Sequence, residues 1–562
     1  MNIKQTKFKG KSVTRLVTGG ALIATLAACS VTPTPITLDQ KMALVASDRD
    51  AMFKNQEPVT KPISLEEAMA RAVKYNLQER LSLMEKLAEE HVLDLKNFDM
   101  LPQVAASAGW TTRNNEAASS SKSLATGTQS LVSSTSQDKS SSTANLSVSW
   151  NILDFGVGYF GSKAQANNIL AAEERRRSVI ADIIQKVRRA YWDAMTAQQL
   201  QPVVKETLKE AYAALENAKK TEKERLIAPL EALKYQKSLL EMISRLETLE
   251  SDLLASKSTL ASLMNLPPAT RYQLAEERVL PTNLQYSLED LEAMAMVNRP
   301  EINEEAYRAR NVALDTRSAL TRLMPGASLF VGTHYSSNSY LANNDWADAG
   351  VQVSWNLLNV FSYSDIKRLG EAKQSVADLR RQALRMAVLT QVNIAWQQHE
   401  QARNQFERMS ELLRVQNAIL KQTSGAYKNN AQSLVERVRM TTESVLVMRS
   451  RDLSFAQMQS AYGSVFQATG LDPLPAKVAS HSVQDLTDAI TSQSRLLDSG
   501  KLPVSAVVPS KRSNLAKKTV IASQTAITGV VAPVELHFVR DSEGGGSLQS
   551  VEVNDYTNYT GQ

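Results

Sequence analysis

The sequence contains one cysteine, few glycines and aromatic residues, and almost no surplus of charge of one sign. Because Cys29 is the only cysteine in 562 residues, no internal disulfide can hold the fold together. The net charge of +6, from 64 basic and 58 acidic residues, is too small and too scattered to indicate nucleic-acid binding. With 21 glycines, 6% aromatic residues and abundant Ala, Leu, Gln, Glu, Lys and Arg, the composition favours long helices.

Motifs that would carry chemistry are also missing from the sequence. It has no phosphate-binding glycine loop and no strained serine elbow. His399 lies on an apolar helical stripe, where a core or lumen residue is the favoured interpretation over a metal ligand. The five histidines lie far apart, at His91, His334, His399, His481 and His537. We therefore expect neither enzymatic activity nor a cofactor or metal site.

The first residues are typical of an export signal. Basic residues precede a short apolar run over residues 16–28, which is too short to span a bilayer. The run ends in Leu26-Ala27-Ala28-Cys29, the pattern of bacterial lipoproteins. Residues 1–28 are thus predicted to be a lipoprotein signal peptide, with lipid on Cys29, and Ser30 after the cysteine is typical of an outer-membrane address. A plain secretory signal with an incidental cysteine is the alternative.

One series of sequence motifs occurs twice in the chain. Ser64-Leu65-Glu66-Glu67 begins a helical pattern that reaches Leu101-Pro102, and a strand pattern then ends in Ser149-Trp150-Asn151-Ile152-Leu153. The second copy consists of Ser287-Leu288-Glu289-Asp290, Met324-Pro325 and Ser354-Trp355-Asn356-Leu357-Leu358. The spacing from serine to proline is identical in the two copies. This duplication of a long-helix unit suggests a channel built by repetition.

Long helices are predicted on both sides of each strand pattern. Apolar residues recur in steps of three and four, as in left-handed packing of helices side by side. An ordinary helical bundle or a free coiled coil has the same periodicity. Residues 29–62, rich in proline and threonine, predict an extended N-terminal arm, and residues 476–562 a partly disordered C-terminal extension with one helix at about 481–498. The predicted long helices are about 64–100, 157–224, 230–264, 287–323, 363–429 and 434–468.

Two segments alternate as strands, in hairpins at about 103–151 and 327–356. Leu146, Val148 and Trp150 share one face, and serine and asparagine share the other. This is the apolar-out, polar-in pattern of a membrane barrel, and we predict Trp110, Trp150 and Trp355 at the membrane interface. A half-buried soluble hairpin is the alternative for either one alone. Residues 111–142 between the first two strands are rich in Ser, Thr and Gln and predict a long mobile loop.

Four strands are too few to close a membrane barrel, since small barrels have about eight. Because unpaired strand edges are costly in lipid, the chain is expected to oligomerise. Two copies would supply eight strands, whose lumen is filled by side chains, and three copies would supply twelve. A conduit therefore favours a homotrimer.

The duplicated series of motifs resembles that of TolC-type outer-membrane efflux and secretion channels. The resemblance covers about residues 60–475 and includes Ser-Trp-Asn-Ile-Leu-Asp-Phe-Gly at 149–156. It implies a mainly α fold with a small transmembrane β part, in which two tandem repeats (63–280 and 281–475) each contain a helix, a β-hairpin and a long helix hairpin. Three chains would form a twelve-strand barrel that continues into a periplasmic helical barrel. Asn359-Val360-Phe361 departs from Asp-Phe-Gly and is expected to alter only the second strand-to-helix turn.

The resemblance also implies a function and partners. The chain would be the passive outer-membrane conduit of a tripartite exporter, lipid-anchored and membrane-spanning, with a long periplasmic portion. Its partners would be two further copies, a periplasmic adaptor, an inner-membrane pump and outer-membrane lipid, without nucleic acid. Small-molecule efflux and type I protein secretion both fit. A lipid-anchored periplasmic coiled-coil scaffold without channel activity is the alternative function.

The family pattern places adaptor docking at the helix-hairpin tips and a gate just beyond them. The docking positions would be Arg225, Leu226, Asn430, Ala431 and Ser433. Related channels often have glycine where this chain has Arg225 and Asn430, and arginine adopts a left-handed turn less readily than asparagine.

An acidic ring at Glu436, with Glu231 as its repeat partner, would favour cations at the periplasmic gate. The alternative is that both are solvated glutamates favoured at helix starts by the helix dipole.

Overall fold

A computed structural model of the chain describes residues 33–267, 270–276, 283–429, 431, 433–471, 474–475, 478 and 480–501. All of them belong to one unit, residues 1–507. The predicted signal peptide, Cys29, Asn430 and the tail beyond residue 501 lie outside the described residues.

Helices dominate the described residues and flank two pairs of strands. In the first half the elements are α1 Leu38–Met52, α2 Leu65–Tyr75, α3 Leu77–Phe98, β1 Gln103–Thr112, β2 Ala118–Ser119, β3 Ser134–Thr135, β4 Ser140–Asn151, α4 Ile152–Lys223 and α5 Pro229–Leu263. In the second half they are α6 Leu288–Asn298, α7 Pro300–Thr321, β5 Gly326–Ser336, β6 Asp345–Ser354, a 3₁₀ turn Leu357–Ser362, α8 Tyr363–Lys428, α9 Leu434–Thr469 and α10 Val483–Asp498.

Strands β1, β4, β5 and β6 form one antiparallel sheet in that order. The register aligns Val104 of β1, Val148 of β4, Val331 of β5 and Ala349 of β6 across the sheet. Because side chains alternate along a strand, these four residues share one face. The predicted hairpins are therefore confirmed, and the sheet ends at two edge strands, β1 and β6.

The long helices pack side by side in an order that parallels the sheet. Close to the sheet, α4 and α7 lie between α3 and α8, while farther away α4 and α9 lie between α5 and α8. The seam between α4 and α5 buries Leu239, Ile243, Leu246 and Leu253, which recur in steps of four, three and seven. The row of helices thus ends at α3 and α5 on one side and at α8 on the other.

The two copies of the repeated series of motifs make the same local contacts. Ser64 and Ser287 cap their helices by accepting hydrogen bonds from the backbone N–H three residues later. The indole of Trp150 donates to the carbonyl of Met100 at 3.2 Å, and that of Trp355 donates to the carbonyl of Leu323 at 2.9 Å. Both acceptors lie two residues before a proline, so the matching spacing of the sequence corresponds to matching geometry.

The N-terminal arm is not extended throughout, and that expectation is wrong over residues 38–52, which form α1. Thr37 and Gln40 form a reciprocal capping box at the start of α1. The prolines that suggested an extended arm lie outside α1, at positions 33, 35, 58 and 62. The helix buries no side chain, which explains why no apolar periodicity marked it.

Two helices predicted as continuous are interrupted. Asn76 has an extended backbone, and its side chain ends α2 by capping α3 and by donating to the carbonyl of Leu263. Arg299 separates α6 from α7 because the residue before a proline disfavours the helical conformation, and Pro300 follows.

The two strand-to-helix turns differ as expected from their sequences. Helix α4 begins directly after Asn151, whereas in the second copy the 3₁₀ turn that contains Asn359-Val360-Phe361 precedes α8.

Candidate functional site

The apolar face of the sheet is open to its surroundings. Val104, Val331, Val351 and Val353 are each more than half exposed. All four lie on the face that also carries Val148. A row of exposed valines is unfavourable in water, and it is the surface that a membrane strand presents to lipid.

The three predicted interface tryptophans lie at opposite ends of the sheet. Trp110 is close to the far end of β1, pairs with Ser142 and is 67% exposed. Trp150 and Trp355 lie where β4 and β6 meet the long helices. This spacing places aromatic side chains at both ends of the apolar face, as in the aromatic girdles of membrane barrels.

The opposite face is polar but includes a cluster that the sequence alternation did not indicate. The His334 ring contacts Asn145 Oδ1 at 2.8 Å and Asp348 Oδ1 at 3.1 Å, and it stacks on Trp346 with an interplanar angle of 21°. Asn145 in turn donates to Ser107. This row crosses all four strands, so only the strand register brings its members together.

The segment predicted as a long loop, 111–142, contains the short ribbon β2–β3 and is joined to the second hairpin loop. Asp138 accepts hydrogen bonds from the backbone N–H and the hydroxyl of Ser339, the latter at 2.8 Å. Its own N–H donates to Asn338 Oδ1. The two loops are therefore connected at the end of the sheet remote from the helices.

The edge helices carry apolar side chains that are exposed to solvent. At about 100° per residue, their spacing places the residues of each helix on one narrow stripe. They are Leu77, Leu81, Met84, Leu95 and Phe98 on α3, Leu233 and Leu240 on α5, and Leu369, Val376, Leu412, Val415 and Ile419 on α8. Both sides of the helical row thus end in an unpartnered stripe of the kind that packs against another helix.

The first helix-hairpin tip has the left-handed residue expected from the family pattern. Arg225 has a φ of 57°, and Leu226 N–H donates to the carbonyl of Thr221, five residues earlier, as in a Schellman motif. Leu226 is 67% exposed and available for contact.

At the second tip, Ala431 N–H donates to the carbonyl of Ala426 with the same spacing as at the first tip. Ser433 caps α9 by accepting from Glu436 N–H at 3.1 Å. Asn430 lies outside the described residues, so its conformation remains a prediction.

The structure does not bring Glu231 and Glu436 together. Arg437, next to Glu436, pairs with Glu210 of α4 at 3.1 Å. Lys223, the last residue of α4, lies roughly 20 Å farther along the helix axis than Glu210, at 1.5 Å per residue. Glu231 lies beyond that end of α4. In a trimer the two glutamates would therefore form rings at different heights.

Each of these carboxylates has a cationic partner on its own helix. Glu231 lies 2.9 Å from Lys234 Nζ, and Glu436 lies 2.6 Å from Arg439. The hydrogen bond from Arg439 holds the pKa of Glu436 below its ordinary value of 4.5, against the opposing effect of partial burial. Glu436 is therefore charged at neutral pH, but its field is partly neutralised.

Several contacts that link α9 to its neighbours are not predicted from the sequence. Besides pairing with Glu210, the Arg437 guanidinium lies over the ring of Tyr427 at 4.8 Å. Arg449 of α9 pairs with Asp252 of α5 at 2.6 Å. These contacts depend on which helices are neighbours, so the residue pattern along one helix could not identify them.

Neither a metal cluster nor a membrane-spanning helix occurs among the described residues. No group of three or more His, Cys, Asp or Glu side chains in this part of the chain could hold a metal ion. No helix in the same part is both long enough and apolar enough to cross a membrane.

Comparisons with known proteins agree with this geometry. Residues 88–266 match the profile of the family described as Outer membrane efflux protein. A comparison with curated protein sequences gives no match.

Several solved membrane proteins have the same fold. The Campylobacter jejuni CmeC outer membrane channel is 13% identical, with a TM-score of 0.56 over 85% of this chain and 98% of its own. The open Neisseria gonorrhoeae MtrE outer membrane channel is 16% identical, with a TM-score of 0.51 over 74% and 95%. A membrane protein from Pseudomonas aeruginosa is 17% identical, with a TM-score of 0.57 over 72% and 93%.

At these identities the structures show the fold, and the profile match identifies the family of residues 88–266. The resemblance noted in the sequence is confirmed: residues 88–266 match the Outer membrane efflux protein family, and the described residues have the fold of outer-membrane channels such as CmeC and MtrE.

Proposed function

We propose that this chain is the outer-membrane component of a tripartite exporter and forms a passive conduit from the periplasm to the cell exterior. The observation that carries the proposal is a four-stranded sheet with one apolar face, one largely polar face and two open edges. Each edge continues into a helix with an unpartnered apolar stripe. Such a unit is incomplete alone and becomes a tube when copies join edge to edge.

Three copies satisfy these edges best. The unpaired N–H and C=O groups of β1 and β6 would be costly in lipid, and pairing β1 of one copy with β6 of the next removes that cost. Twelve strands leave an open lumen, whereas eight are filled by side chains. The stripes on α3 and α5 would then pack against α8 of the neighbouring copy.

The helices would continue this tube through the periplasm. Helix α4 has 72 residues, about 108 Å at 1.5 Å per residue, which is far longer than a bilayer is thick. The tips at Arg225-Leu226 and Ala431-Ser433 would contact a periplasmic adaptor, and an inner-membrane pump would supply energy. Small molecules and polypeptides both remain suitable cargo for such a tube.

The periplasmic end would be held closed by contacts of α9. The Arg437–Glu210 pair joins α9 to α4, and Arg449–Asp252 joins α9 to α5. Opening by outward movement of one helix hairpin must break such pairs. Glu436, partly neutralised by Arg439, would give the narrowest region a weak preference for cations.

The N-terminus would anchor the assembly in the outer membrane. Cleavage before Cys29 and diacylglycerol on its thiol would leave residues 29–62 as an arm, followed by the two repeats at 63–280 and 281–475. An intact mass of the mature chain equal to residues 29–562 plus lipid is the expected result. A mass that includes residues 1–28, or one that lacks lipid, would contradict this part of the proposal.

Thiol labelling of cells tests the conduit against the periplasmic scaffold. Val148 and Ser149 are neighbours on β4 that face opposite sides of the sheet. In a barrel, Ser149→Cys should react with a water-soluble maleimide, whereas Val148→Cys should react only with a lipid-soluble one. Equal reaction of both variants with the water-soluble reagent would identify a scaffold outside the membrane.

A further inference from the structure

A cleft with a basic rim lies on the flank of α5, far from the hairpin tips and from the sheet. Its volume is about 660 Å³, within the range of small-molecule sites. Val59, Pro62 and Leu254 supply apolar surface. The polar residues that line it are Thr60, Lys61, Lys257, Ser258, Thr270, Arg271 and Gln273.

The three cations of this cleft have no acidic partners among the described residues. No aspartate or glutamate of the described chain lines the cleft, and Lys61, Lys257 and Arg271 form no ion pair within it. Most other basic residues on α5 and α9 have a carboxylate within 4 Å, as Lys234 on α5 and Arg449 on α9 do. Burial lowers the pKa of Lys257.

The walls of the cleft are held firmly. Segments 59–63 and 270–275 form a parallel bridge, in which Ile63 N–H donates to the carbonyl of Gln273 and Ala275 N–H donates to the carbonyl of Ile63, each at 2.9 Å. Gln198 of α4 holds Leu274 through both its amide oxygen and its amide nitrogen. The cleft is therefore built before any ligand arrives, which reduces the ordering cost of binding.

The third wall is α5, and Tyr272 connects it to segment 270–275. The Tyr272 hydroxyl donates to the carbonyl of Lys257 at 2.6 Å. Burial raises the pKa of Tyr272 to about 12, so the hydroxyl remains a neutral donor across the physiological range. This contact keeps the Lys257 backbone against the segment that carries Arg271.

We propose that this cleft binds a small organic anion that carries carboxylate or phosphate groups. Lysine supplies point charges and arginine a planar fork, and both bind these groups well. The hydroxyls of Thr60, Ser258 and Thr270 add donors, and the apolar floor favours an organic ligand over a bare ion. In the proposed assembly the cleft belongs to the periplasmic part, where soluble anions and anionic cell-wall fragments have access.

Isothermal titration calorimetry of the full-length protein in a non-ionic detergent tests the site, with citrate and inorganic pyrophosphate as probes. We expect saturable binding with one ligand per chain, weakened by added salt because the rim is exposed. Comparing the two probes shows whether carboxylate or phosphate is preferred. The Lys257→Gln and Arg271→Gln double variant should lose at least about tenfold in affinity.

A matched control removes the same charges elsewhere on α5. Lys237 and Arg245 are exposed and do not line the cleft, so Lys237→Gln with Arg245→Gln should bind both probes as the unmodified protein does. Arg271→Gln alone changes only an exposed side chain and protects the test against misfolding of the double variant. Absence of saturable binding, or equal losses in the cleft and control variants, would overturn the proposal.

A neighbouring copy could instead place its own carboxylate in this cleft. In that case the Lys257→Gln and Arg271→Gln variant would dissociate from trimer to monomer at lower detergent concentration, and neither probe would bind the intact trimer. That result would also overturn the proposal, because the cations would then belong to an interface between copies.

Discussion

Placing a charge on the apolar face of the sheet should prevent assembly in the membrane, whereas the same charge one residue away should not. Val148 lies three residues before the end of β4 and is aligned with Val104 and Val331. Ser149 follows it on the opposite face, beside Phe330. The substitutions Val148→Asp and Ser149→Asp therefore add one carboxylate each at nearly the same depth.

The expected cost follows from depth and copy number. A basic residue facing lipid costs about 2–4 kcal/mol at the bilayer midplane and about 0–1 kcal/mol near the interface, with somewhat less for aspartate. At its position between these limits, Val148→Asp should cost about 1–2 kcal/mol in each chain. Three chains give about 3–6 kcal/mol, a loss of about a hundredfold to ten-thousandfold in the assembled fraction.

The assay is the amount of trimer extracted from outer membranes, compared with total chain in the cell. Val148→Asp should remove most of the trimer, and Ser149→Asp should leave it near the unmodified level because that carboxylate faces water. The combined Val148→Asp and Val331→Asp variant should be worse still, since like charges directly opposite on adjacent strands repel. Normal assembly of Val148→Asp, or equal loss with Ser149→Asp, would refute the assignment of the two faces.

Three further predictions concern the helical part. Arg71 and Glu67 form a buried pair at 2.9 Å, so Arg71→Met should lower the free energy of unfolding by about 3–5 kcal/mol, and adding Glu67→Leu should recover much of that loss in chemical denaturation. Glu436→Gln should make the channel less selective for cations, and Arg439→Gln should make it more selective for cations. The reversal potential measures both changes. Because the folded pKa of Glu436 is lowered, its cation preference and its ion-pair stabilisation should persist as pH falls to 4.5 and disappear only below the folded pKa. Arg225→Gly should stabilise the first tip by about 1 kcal/mol and slow hydrogen exchange at the Leu226 amide, and an unchanged rate would contradict the left-handed assignment.

The long helices and the hairpins could be predicted because their patterns are local. The α4–α5 seam repeats along single helices, and the alternation around Val148 is read from one strand. Each strand pattern is weak alone, but the two occur at equivalent positions of the repeated sequence, and this agreement supports the prediction of both hairpins. Helix α1 was missed because it buries no side chain, and only Thr37 and Gln40 marked its start.

Contacts between distant elements could not be derived in this way. The His334 cluster depends on the register of four strands, and a shift of one residue would move His334 to the other face. The Arg437–Glu210 pair depends on α9 packing against α4, which are far apart in sequence. The basic cleft likewise needs three separate segments, and its lysines and arginine follow no periodic pattern.

Single-channel conductance in planar bilayers, together with the mass in detergent, tests whether three copies of the chain form a conduit. We expect a trimer with a steady, low conductance that increases when Arg437→Gln removes the contact with Glu210. A monomer or dimer that conducts neither unmodified nor with Arg437→Gln would contradict the conduit and favour a periplasmic scaffold.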